Sequence, residues 1–469
     1  MSKVKSLVKA LVKQKNSLDE FLTSLKPIPL KKIIERTQDY QELEIEVNGW
    51  VKSVRQNRFI QLNDGSTLET FQLICPSELT NQLKKVKLGS YLKVRGKLEL
   101  TPEREQNCEL KVSKILSVNS PRDNYPLQKQ KMPLEVIRDY PHLRTKTTYF
   151  LTVFKLRHSI SKSLHNFFDQ EGFYYVPTPI ITSNDSEGAG ETFNLITSNQ
   201  EPFFSKTAKL TVSGQLHAEA LAQGLGRVYT FSPCFRAEKS HTTRHLAEFW
   251  MVEAEMTFTN LAGIINLTER LIKQIINYTL DNNLKELEYL EKYHTKEIIN
   301  RLKSLIDKDF IQLDYTRAIE ILKLAKPEKF AFSNIKWGMD LKTEHEKYLC
   351  NHYKDKPIFI TNYPRNLKAF YMKDALDNKT VECFDLIFPT IGELVGGSMR
   401  ESNYEILKQK AQKIGINTDL AWYLDLRQYG YAPSGGFGLG LERLIMFISG
   451  TENIRDTIAF PRYPKHLDF

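Results

Sequence analysis

Between residues 41 and 118 apolar and polar side chains alternate in short runs, and this pattern limits what the first part of the chain can become. Leu43-Glu44-Ile45-Glu46-Val47 is one run; Arg58 to Leu62, Thr70 to Cys75 and Tyr91 to Leu100 are others. Asn63-Asp64-Gly65-Ser66 supplies a turn between two of them. A period of two sends alternate side chains to opposite faces, so each run reads as a half-buried strand. Five or so short strands in so short a stretch, with little helix, predict a small closed barrel. An oligonucleotide-binding (OB) barrel has this pattern, and so does an SH3-like barrel.

A chain of 469 residues is too long for one ordinary core, so a second domain is expected. The barrel is assigned to residues 36–118. Residues 119–138, with Pro121, Pro126 and Pro133 among charged side chains, read as a linker. Residues 139–469 form the second domain. There Val153, Leu156, Ile160, Leu164 and Phe167 mark one face of a helix that stops at Gly172, and Phe173-Tyr174-Tyr175-Val176 reads as a strand. Strands and helices then mix without a regular β-α-β order. This predicts an α+β domain on an antiparallel sheet flanked by helices, not a doubly wound sheet. Residues 260–350 read as mostly helical, a layer outside the chemistry.

A net charge of +10 and a pI near 9.0 suit a polyanionic partner. No stretch approaches the roughly 18 uncharged apolar residues of a membrane helix. The five cysteines, Cys75, Cys108, Cys234, Cys350 and Cys383, are odd in number, far apart and without a C-x-x-C. Neither a disulfide framework nor a structural zinc site is expected, and a reducing compartment fits: the cytoplasm, or else an organellar matrix. In residues 1–35, Val4, Leu7, Val8, Leu11 and Val12 share a helical face ringed by lysines. This basic amphipathic extension reads as an RNA-binding element, a targeting helix or a solvated helix lying on the body.

The P-loop and the G-x-G-x-x-G fingerprint are both absent, so any nucleotide must be held by side-chain cations. Three segments carry suitable residues. The first, about 154–179, is a helix and strand ending in Pro177-Thr178-Pro179, followed by Ser186-Glu187-Gly188-Ala189-Gly190. The second, about 235–255, runs from Phe235-Arg236-Ala237-Glu238 through a polar loop to His245-Leu246-Ala247-Glu248-Phe249 and Glu253. The third, about 436–446, holds Gly436-Phe437-Gly438-Leu439-Gly440 and then Glu442-Arg443.

In this order and at this spacing the segments resemble motifs 1, 2 and 3 of class II aminoacyl-tRNA synthetases. A barrel before the catalytic domain resembles the subgroup serving aspartate, asparagine and lysine. The resemblance spans nearly the whole chain. It implies a ligase that joins an amino acid to ATP as an adenylate and passes it to the 3′ end of a tRNA. Such chemistry is positioning and charge neutralisation, for which the arginine fork is suited. By resemblance Arg236 holds the α-phosphate, and Arg443, Arg244 and His245 lie toward the other phosphates. Phe249 stacks on adenine, and Glu238 contacts adenine or the tRNA acceptor end. Asp385 and Glu393 become ligands of Mg²⁺ brought with ATP.

The side-chain pocket separates the three amino acids. Arg400, in Gly392-Glu393-Leu394-Val395-Gly396-Gly397-Ser398-Met399-Arg400, corresponds to an arginine that grips a side-chain oxygen, which disfavours lysine. In Ser213-Gly214-Gln215-Leu216-His217-Ala218-Glu219 the aspartate enzymes generally carry a lysine where this chain has Ala218. Here that cation is missing and Glu219 follows. An acid accepts a hydrogen bond from a carboxamide but repels a carboxylate in a poorly solvated pocket. Asparagine, with tRNA-Asn, is therefore expected, and an aspartate enzyme, possibly non-discriminating, is the alternative. Gln215, Glu187 and Ser186 by resemblance hold the substrate's α-amino and carboxylate groups. Thr361-Asn362-Tyr363-Pro364 and Lys368-Ala369-Phe370-Tyr371-Met372-Lys373 also match the asparagine branch.

The family usually has Pro-His before the glycines of motif 3, whereas this chain has Pro433-Ser434. The barrel in this subgroup reads the anticodon; by local match Phe59 stacks on a base and Gln72 hydrogen-bonds it, with Arg55 nearby. Phe59 as barrel core is the competing reading. Motif 1 implies a homodimer with Pro179 at its interface. A synthetase-like asparagine synthetase would lack the barrel, and a non-catalytic RNA-binding derivative would have lost the phosphate arginines.

Overall fold

A computed structural model describes residues 28–103, 106–128, 130, 132–184, 191–198, 203–415 and 420–469. The basic segment before residue 28, together with Ser186 and Glu187, lies outside the described residues. The chain divides after Thr152 into two compact units.

In the first unit the strands β1 (Glu44–Arg55), β2 (Phe59–Asn63), β3 (Phe71–Ile74), β4 (Tyr91–Leu100) and β5 (Cys108–Asn119) close a barrel in the order β1-β2-β3-β5-β4. Only β3 and β5 pair in parallel; the other four pairings are antiparallel. A five-stranded closed Greek-key barrel is the OB arrangement, one of the two the alternation allowed. Ile45, Val47 and Val51 point inward from β1 and meet Ile60, Leu62, Phe71, Leu73, Leu92, Val94 and Leu110. The helix Leu30–Glu35 sets Leu30 and Ile33 into the same core. The expected turn forms at Asn63, whose side-chain amide donates to the carbonyls of Thr67 (2.9 Å) and Glu69 (2.8 Å).

The second unit is built on a sheet of eight strands: β6 (Tyr174–Tyr175), β10 (Arg227–Phe235), β11 (Glu248–Thr257), β12 (Ile311–Asp314), β13 (Ile358–Thr361), β14 (Cys383–Phe388), β15 (Gly392–Met399) and β16 (Ser434–Gly440). Their order is β12-β13-β14-β15-β16-β11-β10-β6. A small second sheet, β7 (Ile181–Thr182), β9 (Ala208–Leu210) and β8 (Asn194–Leu195), stands beside motif 1. The six central strands of the large sheet are antiparallel, as expected. The two edges are not: β12 pairs with β13 and β6 with β10 in parallel, so the sheet is mixed. Parallel neighbours need a crossover, and helices supply both. Tyr315–Leu324 and Thr343–His352 connect β12 to β13, and Gln215–Leu225 lies between β6 and β10.

Residues 260–350 are mainly helical, beginning with Leu261–Asn282, whose cap Asn260 accepts from the Gly263 amide at 2.9 Å. They are not all outside the chemistry. They contribute β12 to the large sheet, and the helix Thr343–His352 carries Glu346 to the site described below. A four-residue strand is too short for its period to stand out. Among the described residues no helix is long and apolar enough to cross a membrane.

Candidate active site

The glycines of motif 3 are spaced by two because they share one face of a strand. Gly438 of β16 lies opposite Glu253 of β11 and Gly396 of β15, and Gly396 lies opposite Asp385 of β14. One row over, Gly436 lies opposite Glu255 and Ser398. Strand parity places these residues on the same face of the sheet, and the glycines leave its middle bare. At Gly436 an added Cβ would sit 2.5 Å from the Glu255 carboxyl carbon, so no side chain fits there. The string is thus a bare strand floor, and the polar side chains around it come from its neighbours.

Strands β10 and β11 form the motif 2 hairpin, with Phe235 opposite Glu248. Arg236 follows β10 directly, and its amide donates to the Ala247 carbonyl at 3.0 Å, which pins the base of the loop. Its guanidinium lies 5.4 Å from the centre of the Phe249 ring. A cavity of about 180 Å³ is lined by Arg236, Glu238, Arg244, His245, Phe249, Glu393, Gly438 and Arg443. All the side chains expected around ATP therefore open on one cleft. Arg443 donates to the Glu393 carbonyl at 2.7 Å and Arg244 to the Thr390 carbonyl at 2.9 Å, which aims both guanidiniums from the same loop. Burial lowers the His245 pKa, so its ring is neutral at pH 7; its Nδ1 faces Thr242 Oγ1 at 2.5 Å. Glu442 joins the three motifs: its carboxylate takes Arg157 of the motif 1 helix at 2.8 Å and the Trp250 amide at 3.0 Å.

Beside this cleft are three carboxylates. Glu393 Oε1 and Asp385 Oδ1 lie 3.2 and 3.7 Å from the point where a Gly396 Cβ would be. Both Asp385 oxygens also accept from Lys368 Nζ, at 2.7 and 2.5 Å. The third acid, Glu346, was not anticipated. Burial, then the like charges of Glu393 and Asp385, push its pKa up to about 8. Among the described residues no cluster of three His, Cys, Asp or Glu has the geometry to hold a metal by itself.

The Gly436 row of the floor is more crowded with buried charge. Gln215 and Glu219 stand one turn apart on the helix Gln215–Leu225, both buried. The Gln215 Nε2 is a buried donor with no partner among the described residues, as a ligand-facing group would be. Arg400 Nε lies 4.0 Å from Glu219 Oε2, so both can touch one small molecule. Arg400 is itself clamped in a two-point pair by Glu255 and reaches Ser398 Oγ at 2.5 Å. Burial would lower its pKa, but Glu255 more than reverses that and locks the charge in. Burial raises Glu255 to about 7 against the pull of Arg400, and burial also raises Glu253, which holds Ser213 and the Gly214 amide.

Glu219 is fully buried. It accepts from Arg427 (2.5 Å), Tyr423 (2.6 Å) and Tyr431 (2.7 Å), none of which had been anticipated. Ser434, at the position where the family usually has histidine, is buried with its Oγ 2.5 Å from the Tyr431 hydroxyl.

Residues 133–464 match the family model described as tRNA synthetases class II (D, K and N), and residues 45–118 match the OB-fold nucleic acid binding domain. The asparagine–tRNA ligase of Mycoplasma capricolum is 46% identical over 453 residues, covering 94% of this chain and all of that protein. The chain belongs to the class II tRNA synthetases, among the asparagine–tRNA ligases. The ligase of Cytophaga hutchinsonii is 43% identical over 467 residues, covering 95% of this chain and 100% of that one. Asparaginyl-tRNA synthetase from Pyrococcus horikoshii, solved with asparaginyl-adenylate, superposes with a TM-score of 0.85 at 30% identity, covering 94% of this chain and 99% of that chain.

As in other proteins carrying an OB-fold, the synthetase's barrel has an outer strand face. Strand parity sets Phe59, Gln61 and Gln72 on it, opposite to the fully buried Ile60 and Leu73. Phe59 is only partly buried, so it is not barrel core. Gln61 Nε2 donates to Gln72 Oε1 at 2.6 Å, and Arg55 is the cross-strand partner of Phe59. The short link between them is a tight turn with Gln56 and Asn57 at φ 51° and 47°, closed by the Arg58 amide on the Arg55 carbonyl at 3.0 Å.

Proposed function

We propose that this synthetase activates L-asparagine with ATP and transfers it to the 3′ end of tRNA-Asn. One observation supports the reading: Arg400, 4.0 Å from Glu219, is held by Glu255 opposite Gly436, one row along β16 from Gly438, which lines the cleft of Arg236, Phe249 and Arg443. Gln215, with Ser186 and Glu187, takes the α-amino and carboxylate groups of the amino acid. A carboxylate oxygen attacks the α-phosphorus, whose charge Arg236 neutralises, and pyrophosphate leaves toward Arg443, Arg244 and His245. Phe249 stacks on adenine and Glu238 holds its edge or the tRNA end. In the second step a terminal ribose hydroxyl attacks the acyl carbon, and AMP departs.

The charge balance of the side-chain pocket favours a neutral substrate. Glu219 accepts from Arg427 at 2.5 Å and stands 4.0 Å from Arg400, whose guanidinium Glu255 already holds, and all four are buried. An aspartate would add another anion, whereas a carboxamide offers an oxygen to Arg400 and an NH₂ to Glu219.

The acids beside the cleft offer the oxygen donors a hard cation takes: Glu393 Oε1 and Asp385 Oδ1 both lie within 4 Å of the Gly396 Cβ position, and burial, followed by their like charges, raises the Glu346 pKa. Mg²⁺ would be held by Glu393 and Asp385, and when bound it neutralises phosphate charge. Phe59, Gln72 and Arg55 serve the anticodon. Motif 1 builds a homodimer around Pro179, where Tyr174, Tyr175 and Ile181 are 61%, 53% and 48% exposed. The five buried cysteine thiols suit the cytoplasm.

The test is ATP–pyrophosphate exchange with asparagine, aspartate and lysine in turn. Asparagine should support exchange at least about 10⁴-fold better than aspartate in kcat/KM, the discrimination a pocket of buried polar groups can give. Stronger exchange with aspartate would overturn the substrate assignment in favour of an aspartyl enzyme. No exchange with any amino acid would mark a non-catalytic derivative.

A further inference from the structure

We propose that the Tyr431 hydroxyl, relayed from Ser434, is the positioning group that fixes Glu219 as an acceptor for the substrate's carboxamide, and so sets selectivity for asparagine over aspartate. The inference rests on the substrate reading above and names a determinant within that pocket.

The geometry allows one arrangement of protons. Glu219 Oε1 receives Arg427 Nη2 at 2.5 Å and the Tyr431 hydroxyl at 2.7 Å, and Oε2 receives the Tyr423 hydroxyl at 2.6 Å. A tyrosine has a single hydroxyl proton. If it goes to Glu219, the contact of 2.5 Å between Tyr431 and Ser434 must run from the Ser434 hydroxyl to the Tyr431 oxygen. Arg427 Nη2 adds a longer bond to the same oxygen at 3.3 Å, and its guanidinium lies 4.2 Å from the Tyr431 ring centre. Because Arg427 Nη2 also reaches the Tyr423 hydroxyl at 3.1 Å and has only two protons, Ser434 is the main donor to the Tyr431 oxygen, which passes its own proton to the acid. Such a chain polarises each member in turn.

This arrangement leaves Glu219 one direction in which to accept. Three donors hold its two oxygens from the side of residues 423–434, and Arg400 stands 4.0 Å from Oε2 on the substrate side. Without the tyrosine hydroxyl, Oε1 keeps only Arg427, and the carboxylate is free to turn toward the guanidinium of Arg427 or Arg400. Either motion withdraws it from the carboxamide NH₂ while leaving the phosphate cleft untouched.

The exchange of residue at position 434 fits the same account. Ser434 Oγ already lies at hydrogen-bond distance from the Tyr431 oxygen, so a histidine ring, reaching farther from the same Cβ, would occupy the place of that hydroxyl. Serine at 434 and a tyrosine hydroxyl at 431 are sterically complementary. The pair fills the volume and supplies a donor to Glu219 where the family string has an imidazole.

The experiment is pyrophosphate exchange at varied asparagine, aspartate and ATP for the parent, Tyr431→Phe, Ser434→Ala and Glu219→Gln, with thermal melts of each. Tyr431→Phe should raise the KM for asparagine and lower the asparagine-to-aspartate ratio of kcat/KM by about tenfold or more, the effect of a hydrogen bond to a charged group. The KM for ATP should not move. Ser434→Ala should shift the ratio in the same direction by less, and Glu219→Gln should shift it most. A Tyr431→Phe enzyme that loses kcat/KM equally for both amino acids, or keeps the parental ratio, overturns the proposal. If Tyr431→Phe does not fold, Ser434→Ala decides: a lowered ratio supports the relay and an unchanged ratio rejects it. A parent that does not prefer asparagine would instead bring down the substrate reading, a separate result.

Discussion

Arg236 comes from the end of β10 and Arg443 from the first turn of the helix Leu441–Ser449, yet they line one cavity. At the scale of single residues the synthetase's site is a set of such convergences, and each can be tested by removing one group. Arg236→Ala should lower asparagine-dependent exchange by about 10²–10³-fold in kcat, the cost of deleting one fixed donor from a charge-stabilising site. Its melting temperature should stay within a degree or two of the parent, because the side chain lines a cleft.

Glu346 makes a different prediction. Its folded-state pKa is raised from 4.5 to about 8, so the folded chain binds that proton more tightly than the unfolded chain does. The stability it contributes is fully present below about pH 4.5 and is lost as the pH rises through about 8. In the absence of ATP and with a chelator present, the melting temperature should therefore fall over that window. Glu346→Gln should flatten this dependence and melt higher than the parent at pH 8. Equal pH slopes in the two proteins would refute the raised Glu346 pKa.

Elements explain why those residues meet. β11 alternates apolar Val252 and Ala254 on one face with Glu253 and Glu255 on the face of the site, all four buried; β16 answers with glycines on the same face. The barrel obeys the same parity, with Ile60 inward and Phe59 outward. Phe59→Ala should reduce tRNA aminoacylation by about tenfold or more, the worth of one stacked base, and spare pyrophosphate exchange. Loss of exchange would show that the ring acts structurally. Close strand approach can be tested at Gly96, where an added Cβ would lie 2.8 Å from the Lys111 carbonyl carbon and 2.9 Å from Val112 Cα. Gly96→Ala should destabilise the barrel by about 1–3 kcal/mol, seen as an earlier unfolding transition with exchange retained.

For the molecule as a whole, the relevant quantities are net charge and uncovered apolar surface. With a charge of +10, tRNA binding should weaken steeply with added salt while the KM for asparagine changes little. Tyr174, Tyr175 and Ile181 are exposed a few residues from Pro179, and Phe203 and Phe204 line one cavity with Ile181. An apolar group of this kind on an otherwise charged chain suits a symmetric partner. Ile181→Arg should shift the protein from dimer toward monomer in sedimentation velocity. A parent that sediments as a monomer at micromolar concentration would dispose of the dimer.

The sequence alone determined what depends on local periodicity and on residue type at short spacing. The barrel was legible in the two-residue alternation of 41–118, and resemblance to the family motifs singled out Arg236 and Arg443, which the fold brings to one cavity. Gln215 and Glu219 were likewise singled out by resemblance, and the fold sets both, buried, on one helix. The tertiary structure decided whatever depends on strands and helices distant in the chain. It bent the expected antiparallel sheet into a mixed one through helical crossovers at both edges. It carried Glu346 from a helix that looked peripheral to the side of Asp385 and Glu393. It also surrounded Glu219 with Tyr423, Arg427 and Tyr431, which no spacing announces. The physical reason is range: a propensity acts over a few residues, whereas a buried charge must find its counter-charge wherever the fold brings one within about 3 Å.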